Sequence, residues 1–572
     1  MKMLSRLVPC AVALSVGVMA SPARAQDKDT AERARLDEIA RNAAQQFAAA
    51  RAEAEQTRPN PALDTTGTKV ELTLDEAVMR ALDRNLDIAV ERLNPEVQDL
   101  NIARLRNVYK PTLTSTVFQQ SRVQPPTNQL NGGNIVTNDT STYNAGVGQA
   151  LPWGGGSFSV AWNNQKLVTN NLFANFNPTY NSNLIASYTQ PLLRGLIIDT
   201  NRQQLKITSI SRDISETQLK GTVATTLANV RNAYWELLYA TQALEVAKGS
   251  LDLAAKLVED NKARVEVGTM APLDVVQAEA EAASRRQAVA QAEATLRTSE
   301  LALKRLIVNG TEDPLWRATI EPVDRPTFRP QPLDVEAAVR NALQNRTDLD
   351  AARKTVESND ITLKLLHNQT LPALDLIANY QAQGLGGTQF VRQGAGLGST
   401  IIDTIPYGYS RALRTLFGRD YPVWQVQLNV SYPIGGSQAD ATYARGRVQR
   451  NQAAAQLKSL ELSVATDVTN AALQVESSLK RYEASTAARE LSETRLQAEQ
   501  SRFEVGLSTN FFVVQAQRDL ATAQNTELRA LLDYRRALVD YERVQQAPAV
   551  RGGNTVQAIA AGGGGGGAAP TN

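Results

Sequence analysis

The sequence predicts a mainly α-helical chain with a membrane β-barrel part, built as long helical hairpins and internally duplicated. Three observations predict it. Long tracts of Ala, Gln, Glu, Arg and Leu carry heptad-spaced apolar residues. Shorter segments alternate between apolar and polar residues. One ordered set of short motifs occurs twice.

Taken from the start, the chain opens as a secretory signal peptide over residues 1–25. Lys2 and Arg6 make a basic start, Leu7 to Ala20 an apolar run, and Ala23-Arg24-Ala25 a small-x-small cleavage site. The apolar run is too short to span a bilayer, and no later segment approaches a transmembrane helix. Cys10, preceded by Pro9, lies in that run and does not read as a lipidation site. The mature chain would then hold no cysteine, which excludes disulfides and thiolate metal sites. Residues 26–70 form an extension, with a charged, Ala-rich helix candidate over Asp27–Gln56 that either packs outside the main body or stays mobile.

The repeat comes next. Leu72, Ala77, Val78, Ala81, Leu82, Asp87, Pro111 and Leu113 match Leu333, Ala338, Val339, Ala342, Leu343, Asp348, Pro372 and Leu374 at an offset of 261 (333 minus 72). Arg264, Glu266, Val267, Gly268, Val275, Val276, Gln277 and Ala278 match Arg502, Glu504, Val505, Gly506, Val513, Val514, Gln515 and Ala516 at 238 (502 minus 264). The domains expected are a first repeat over 71–308, a Pro-rich linker over 309–331 and a second repeat over 332–546. A Gly-rich tail over 547–572 reads as disordered. The offsets differ by 23 residues (261 minus 238), so the first repeat has room for one more hairpin, around Pro152-Trp153-Gly154-Gly155-Gly156.

Helical tracts flank each motif glycine. Leu244, Ala247, Leu251, Ala254, Val258, Asn261 and Val265 recur at spacings of three and four. The return leg continues the seam through Val275, Ala278, Ala282, Arg285, Val289, Ala292, Leu296, Ser299, Leu303 and Leu306. A helix from Arg202 to Asn261 would be about 90 Å long. Glu279 and Glu281 read as solvated-face residues.

The middle of each repeat alternates. Trp424, Val426, Leu428, Val430 and Tyr432 interleave with Gln425, Gln427, Asn429 and Ser431. Leu374, Leu376, Ala378 and Tyr380 interleave with Asp375, Asn379 and Gln381, with Ile377 out of phase. Tyr143, Ala145 and Val147, then Phe158, Val160 and Trp162, then Leu184, Ala186 and Tyr188 keep the same period. Segments of about nine or ten residues with one apolar and one polar face suit strands between lipid and a wet lumen. Trp153, Tyr380, Trp424 and Tyr432 are candidates for the aromatic girdles at the membrane interface. Gln129–Ser141 and Gly384–Gly398 read as exposed connectors. Four to six strands cannot close a barrel, because about eight are the minimum, so several copies must share one wall.

Strand pairs between long helices, twice in tandem, resemble the TolC family of outer-membrane efflux proteins. The local matches are Leu72-Thr73-Leu74-Asp75-Glu76-Ala77 with Ala81-Leu82 and Asn85, then Tyr432-Pro433-Ile434 with Gly435-Gly436, and its counterpart Gln190-Pro191-Leu192 with Gly195. Most specific is Arg502-Phe503-Glu504-Val505-Gly506-Leu507-Ser508 beside Arg264-Val265-Glu266-Val267-Gly268-Thr269. The resemblance implies a TolC-like trimeric α/β-barrel in the outer membrane, its helical barrel projecting into the periplasm. It implies four strands per protomer, or six if the extra hairpin joins the barrel. The partners it implies are two further copies of the chain, outer-membrane lipid and a periplasmic membrane-fusion adaptor protein, with an inner-membrane pump reached indirectly.

The hairpin tips, with Arg264, Val267, Gly268, Thr269, Arg502, Val505, Gly506 and Leu507, would dock the adaptor. In the family, aspartates just past the tip glycines line the periplasmic aperture. Asp274 keeps that place in the first repeat, whereas Phe512 stands at the equivalent second-repeat position, with Phe511 and Gln515 beside it. A constriction lined in part by phenylalanine would gate by dewetting; the alternative is that the two phenylalanines simply pack between hairpins.

The function expected is an outer-membrane channel of a tripartite efflux or type I secretion system, conducting substrates passively from adaptor and pump to the exterior. The alternative is a non-conducting structural or adhesive outer-membrane protein on a coiled-coil stalk. A net charge of +2 without a basic, aromatic-lined groove gives no sign of a nucleic-acid partner. His367 is the only histidine, so a histidine-cluster metal site, a Ser-His-Asp triad and a Cys-His pair are excluded within one chain. Glycine-rich stretches lack the strand, lysine and helix context of a phosphate cradle. No cofactor and no enzymatic activity are expected.

Overall fold

The structure is a computed structural model that describes residues 69–125, 135–171, 173–324, 332–394 and 400–548. The signal peptide, nearly all of the 26–70 extension and all but the first two residues of the Gly-rich tail fall outside the described residues. The chain divides into two units. In the smaller, which includes Gly310–Thr319, Asp313 caps a one-turn helix by accepting the Leu315 N–H at 2.9 Å. The described part of the expected linker carries this helix, Pro314–Arg317, and the strand Thr319–Pro322.

The larger unit comprises the described residues of 71–309 and of 320 onward. In chain order the elements are β1 (Lys69–Leu72), α1 (Leu74–Arg84), α2 (Leu86–Arg106), β2 (Thr112–Gln124), β3 (Val136–Ala150), β4 (Ser157–Thr169) and β5 (Phe176–Pro191). Then come α3 (Thr200–Glu266), α4 (Pro272–Ile307), the one-turn α5 and β6 just described, α6 (Val335–Asn345), α7 (Thr347–Gln369) and β7 (Ala373–Gln393). The last are β8 (Thr400–Tyr407), α8 (Tyr409–Gly418), β9 (Tyr421–Ser431), α9 (Gln438–Glu504) and α10 (Asn510–Val544).

Local chemistry starts the helices where the sequence motifs stand. Thr73 and Glu76 form a capping box at α1, and Asn85 caps α2 through the Asp87 and Ile88 N–H groups. Asp199 caps α3, and Ser437 with Asp440 repeats the capping box at α9. The two long helices, α3 and α9, have 67 residues each, about 100 Å of rise. The seam residues proposed for α3 and α4 are all buried or half-buried, as a heptad stripe requires. Ala338, Ala342, Leu349, Val464, Val468, Ala472 and Tyr534 make a second-half core among α6, α7, α9 and α10. Within it Arg346 is buried and satisfied by Asp348 and Asp467.

Seven of the strands form one antiparallel sheet in the order β2-β3-β4-β5-β7, with β9 and β8 both on the outer edge of β7, while β1 and β6 lie apart from it. β9 pairs with Ala373–Gln383, and β8 with Gly387–Gln393. They are therefore two parts of one strand position, and α8 is the chain between them. This gives six strand positions, four from the first half. The extra hairpin joins the sheet, and the four-strand arrangement carried over from the family is not the one present. Strands of 11 to 21 residues, β8 apart, also exceed the nine or ten expected.

The register establishes the two faces. Leu113, Val147, Val160, Ala186, Tyr380 and Trp424 lie in one cross-strand row, and Thr112, Gly148, Ser159, Ser187, Asn379 and Gln425 in the next. Successive residues point to opposite faces, so one face is apolar and the other polar along the proposed strands. Ile377 pairs with Gln427 on the polar face.

One expected connector is not a loop. Gly384 to Gln393 continues β7, and α8 lies across it. A Cβ at Gly384 would overlap the Ala412 carbonyl, and one at Gly386 would sit 2.8 Å from the Gly408 oxygen. The glycines there serve close backbone approach rather than a turn. Likewise β3 begins at Val136, inside the expected connector 129–141.

Candidate functional site: the paired hairpin tips

Each long helix ends in the same turn. Gly268 and Gly506 take φ of +77° and +75°, the left-handed conformation that glycine adopts without steric cost. The Thr269 N–H reaches back to the Arg264 carbonyl at 2.9 Å, and the Leu507 N–H to that of Arg502 at 2.8 Å. Both are Schellman-type closures that satisfy terminal carbonyls. The returning helices also start alike, Asp274 N–H on Ala271 O and Phe512 N–H on Thr509 O. The two motifs that match at an offset of 238 thus have matching geometry.

The structure brings the two tips together. Leu257, Phe503, Val513 and Val514 form a small core, with Met270 against it. Arg264 stands 4.3 Å above the Phe503 ring and donates to the Phe503 carbonyl. Asn261 is fully buried and donates to Asn510 Oδ1 at 3.0 Å, while the Asn510 amide donates to the Asp274 carbonyl. Asn261 stood in the apolar seam, and its partner Asn510 went unnoticed in the sequence. A lone polar residue at a seam position is the signal that would have found the pair.

Around this core the tip surface is apolar and open. Val267, Val505 and Leu507 are 73%, 70% and 80% exposed. Thr269 is also exposed, and Arg502 turns back to Glu499 at 3.2 Å. Of the aperture candidates, Phe511 and Phe512 are exposed and meet edge to face at 5.6 Å. Gln515 donates to Asp519, and Asp274 is half-buried.

Glu281 corrects the sequence reading. It is buried, not a solvated-face residue, because Arg285 and Arg518 both reach its carboxylate from α4 and α10. Burial pushes its pKa up, but hydrogen bonds from Arg518 and Arg285 outweigh this and hold the carboxyl below the ordinary range. Glu279 stays half-exposed and pairs with Lys262 at 2.8 Å.

The aromatic candidates lie on the sheet. Trp153 is in the β3–β4 turn and Tyr432 just past β9, both at the end where the sheet meets the helices. Tyr380 and Trp424 face each other across β7 and β9, seven residues along from Ala373. His367 packs edge to face on Tyr443 at 5.4 Å in the last turn of α7. Among the described residues no cluster of three or more His, Cys, Asp and Glu side chains could hold a metal ion. No helix there is long and apolar enough to cross a membrane.

Comparison with known proteins agrees with this architecture. The channel OprN is similar over 83% of this chain and 90% of its own, with 17% identity and a TM-score of 0.58. The Campylobacter jejuni outer-membrane channel CmeC is similar over 83% of this chain and 85% of its own, with 14% identity and a TM-score of 0.57. The cobalt-zinc-cadmium resistance protein CzcC of Cupriavidus metallidurans is 27% identical over 164 residues, 27% of this chain and 39% of that protein. The alignment thus spans well under half the length of that relative. The family model of outer membrane efflux proteins matches residues 77–309 and 338–543, one segment in each half of the chain. The chain therefore belongs to the outer membrane efflux protein family.

Proposed function

We propose that three copies of this chain form an outer-membrane exit duct, conducting substrates passively from a periplasmic adaptor and its inner-membrane pump to the exterior. The observation that carries this is the two-faced sheet, which ends in two exposed edges. Every residue of β9 is exposed, and all of β2 except its last. In hydrocarbon an unpaired backbone edge is prohibitive, so each edge needs a neighbour. Six alternating strand positions run β2 and β9 in opposite directions. Copies related by rotation therefore join antiparallel, as one barrel wall. Family membership supports the trimer, and three times six positions give eighteen strands. At equal tilt that wall has about one and a half times the radius of a twelve-strand barrel.

The long helices then continue the duct into the periplasm, and the matched tips with their exposed Val267, Val505 and Leu507 receive the adaptor. Phe511 and Phe512 line part of the aperture beside Asp274 and gate it by dewetting. Duplication of an ancestral half accounts for the matching tips.

Planar-bilayer conductance of the purified oligomer, with adaptor capture on the same preparation, tests the reading. Discrete channels and a bound adaptor are expected. An oligomer that neither conducts nor binds would favour the adhesive stalk. Phe512→Ala should raise the open fraction, and an unchanged record would sink the apolar gate.

A further inference from the structure

At the far end of the sheet from the helices, the sixth strand position leaves the wall. β8 runs to Tyr407, the chain forms α8 on the sheet surface, and β9 resumes at Tyr421. The side on which α8 lies follows from the register. Its floor is Gly384 and Gly386, which pair with Ser182 and Tyr180. Counting by twos along β7 from Gly384 reaches Ala382, Tyr380 and Ala378, so the floor belongs to the apolar face. The Tyr409 hydroxyl donates to Asn164 Oδ1 at 2.6 Å and its ring meets Tyr180, both on that same face. A helix is therefore strapped to the outside of the wall, just beyond the apolar rows.

The helix is amphipathic across that contact. Ala412 and Leu416 are buried on the glycine floor. Arg414 is exposed on the far side with Phe417, which is 71% exposed, and Arg419 follows at the helix end. The Arg411 guanidinium lies 3.4 Å over the Tyr407 ring. Lys166 stands opposite Tyr180 on the same face. No ion pair among the described residues involves Arg414, Arg419 or Lys166. The acidic groups near them in chain or register are Asp420 and Asp139, so cations outnumber acids on this patch.

We propose that α8 and Lys166 form a docking site for the phosphate groups of outer-leaflet lipid. Arginines beside an exposed aromatic suit the boundary between headgroups and acyl chains, where the ring enters the apolar layer and the guanidinium groups bind phosphate. Two features select a lipid over a free anion or a protein. The patch adjoins the apolar rows of the wall, and its own exposed face combines Phe417 with the basic groups. The inference rests on the apolar face being lipid-facing.

The full-length oligomer in nonionic detergent would be titrated with diphosphorylated lipid A and with phosphatidylcholine, bound lipid being counted by native mass spectrometry. At least tenfold preference for the diphosphorylated lipid is expected. The triple variant Arg414→Gln, Arg419→Gln, Lys166→Gln should lose about tenfold in that binding, with unchanged conductance. Equal binding by the variant, or no preference in the parent, overturns the proposal. Displacement of the lipid by an equal concentration of inorganic phosphate would identify a free-anion site and overturn it too. A parent that conducts nothing in bilayers fails the barrel reading instead, which separates the two.

Discussion

Glu281 shows how much a single residue depends on its neighbours. Its helix position is polar by sequence, yet the carboxylate is only 3% exposed and held by two arginines from different helices. A carboxyl whose folded pKa is depressed stabilises the fold above its unfolded value, and that contribution vanishes as pH falls through the folded value. Because the shift is downward, the loss belongs below pH ~4.3, the ordinary glutamate value. Glu281→Gln should cost about 1–3 kcal/mol at pH 7, and its thermal midpoint should fall less steeply than the parent's between pH 6 and pH 3. Parallel pH profiles for the two proteins would contradict this account. Arg285 was legible as a seam residue and Arg518 was not singled out. The sequence carries no signal that a side chain 237 residues away meets the same carboxylate.

Among elements, the tip turns were legible and α8 was not. Gly268 and Gly506 sit in helix-ending motifs whose chemistry is local, so composition and spacing suffice to find them. The α8 segment was not singled out in the sequence, because its helical stretch is only ten residues long. Contact with the sheet stabilises it. Gly384→Val tests that dependence, since a side chain there would collide with the Ala412 backbone. Faster amide hydrogen exchange confined to residues 409–418 is expected, with the oligomer intact. Exchange identical to the parent's would show that the helix does not need its glycine floor.

For the whole molecule, the number of strand positions would set the width of the proposed duct. Six per copy follow from continuous ladders running from β2 to β9. Cysteine pairs scanned between residues 112–124 and 421–431 should yield a ladder of covalent dimers and trimers on oxidation. Cross-links confined to monomers would mean that the sheet closes on itself, against the copy-to-copy junction. Hydrophobic periodicity, repeat offsets and turn glycines determined the helices, the alternating strands and the twin tips, because each signal acts over a few residues. Only the tertiary structure decided that the extra hairpin enters the sheet, that a glycine-rich stretch of β7 is the floor for a helix, and that Glu281 is buried. Each of those depends on which distant segment lies alongside, and local sequence does not encode that pairing.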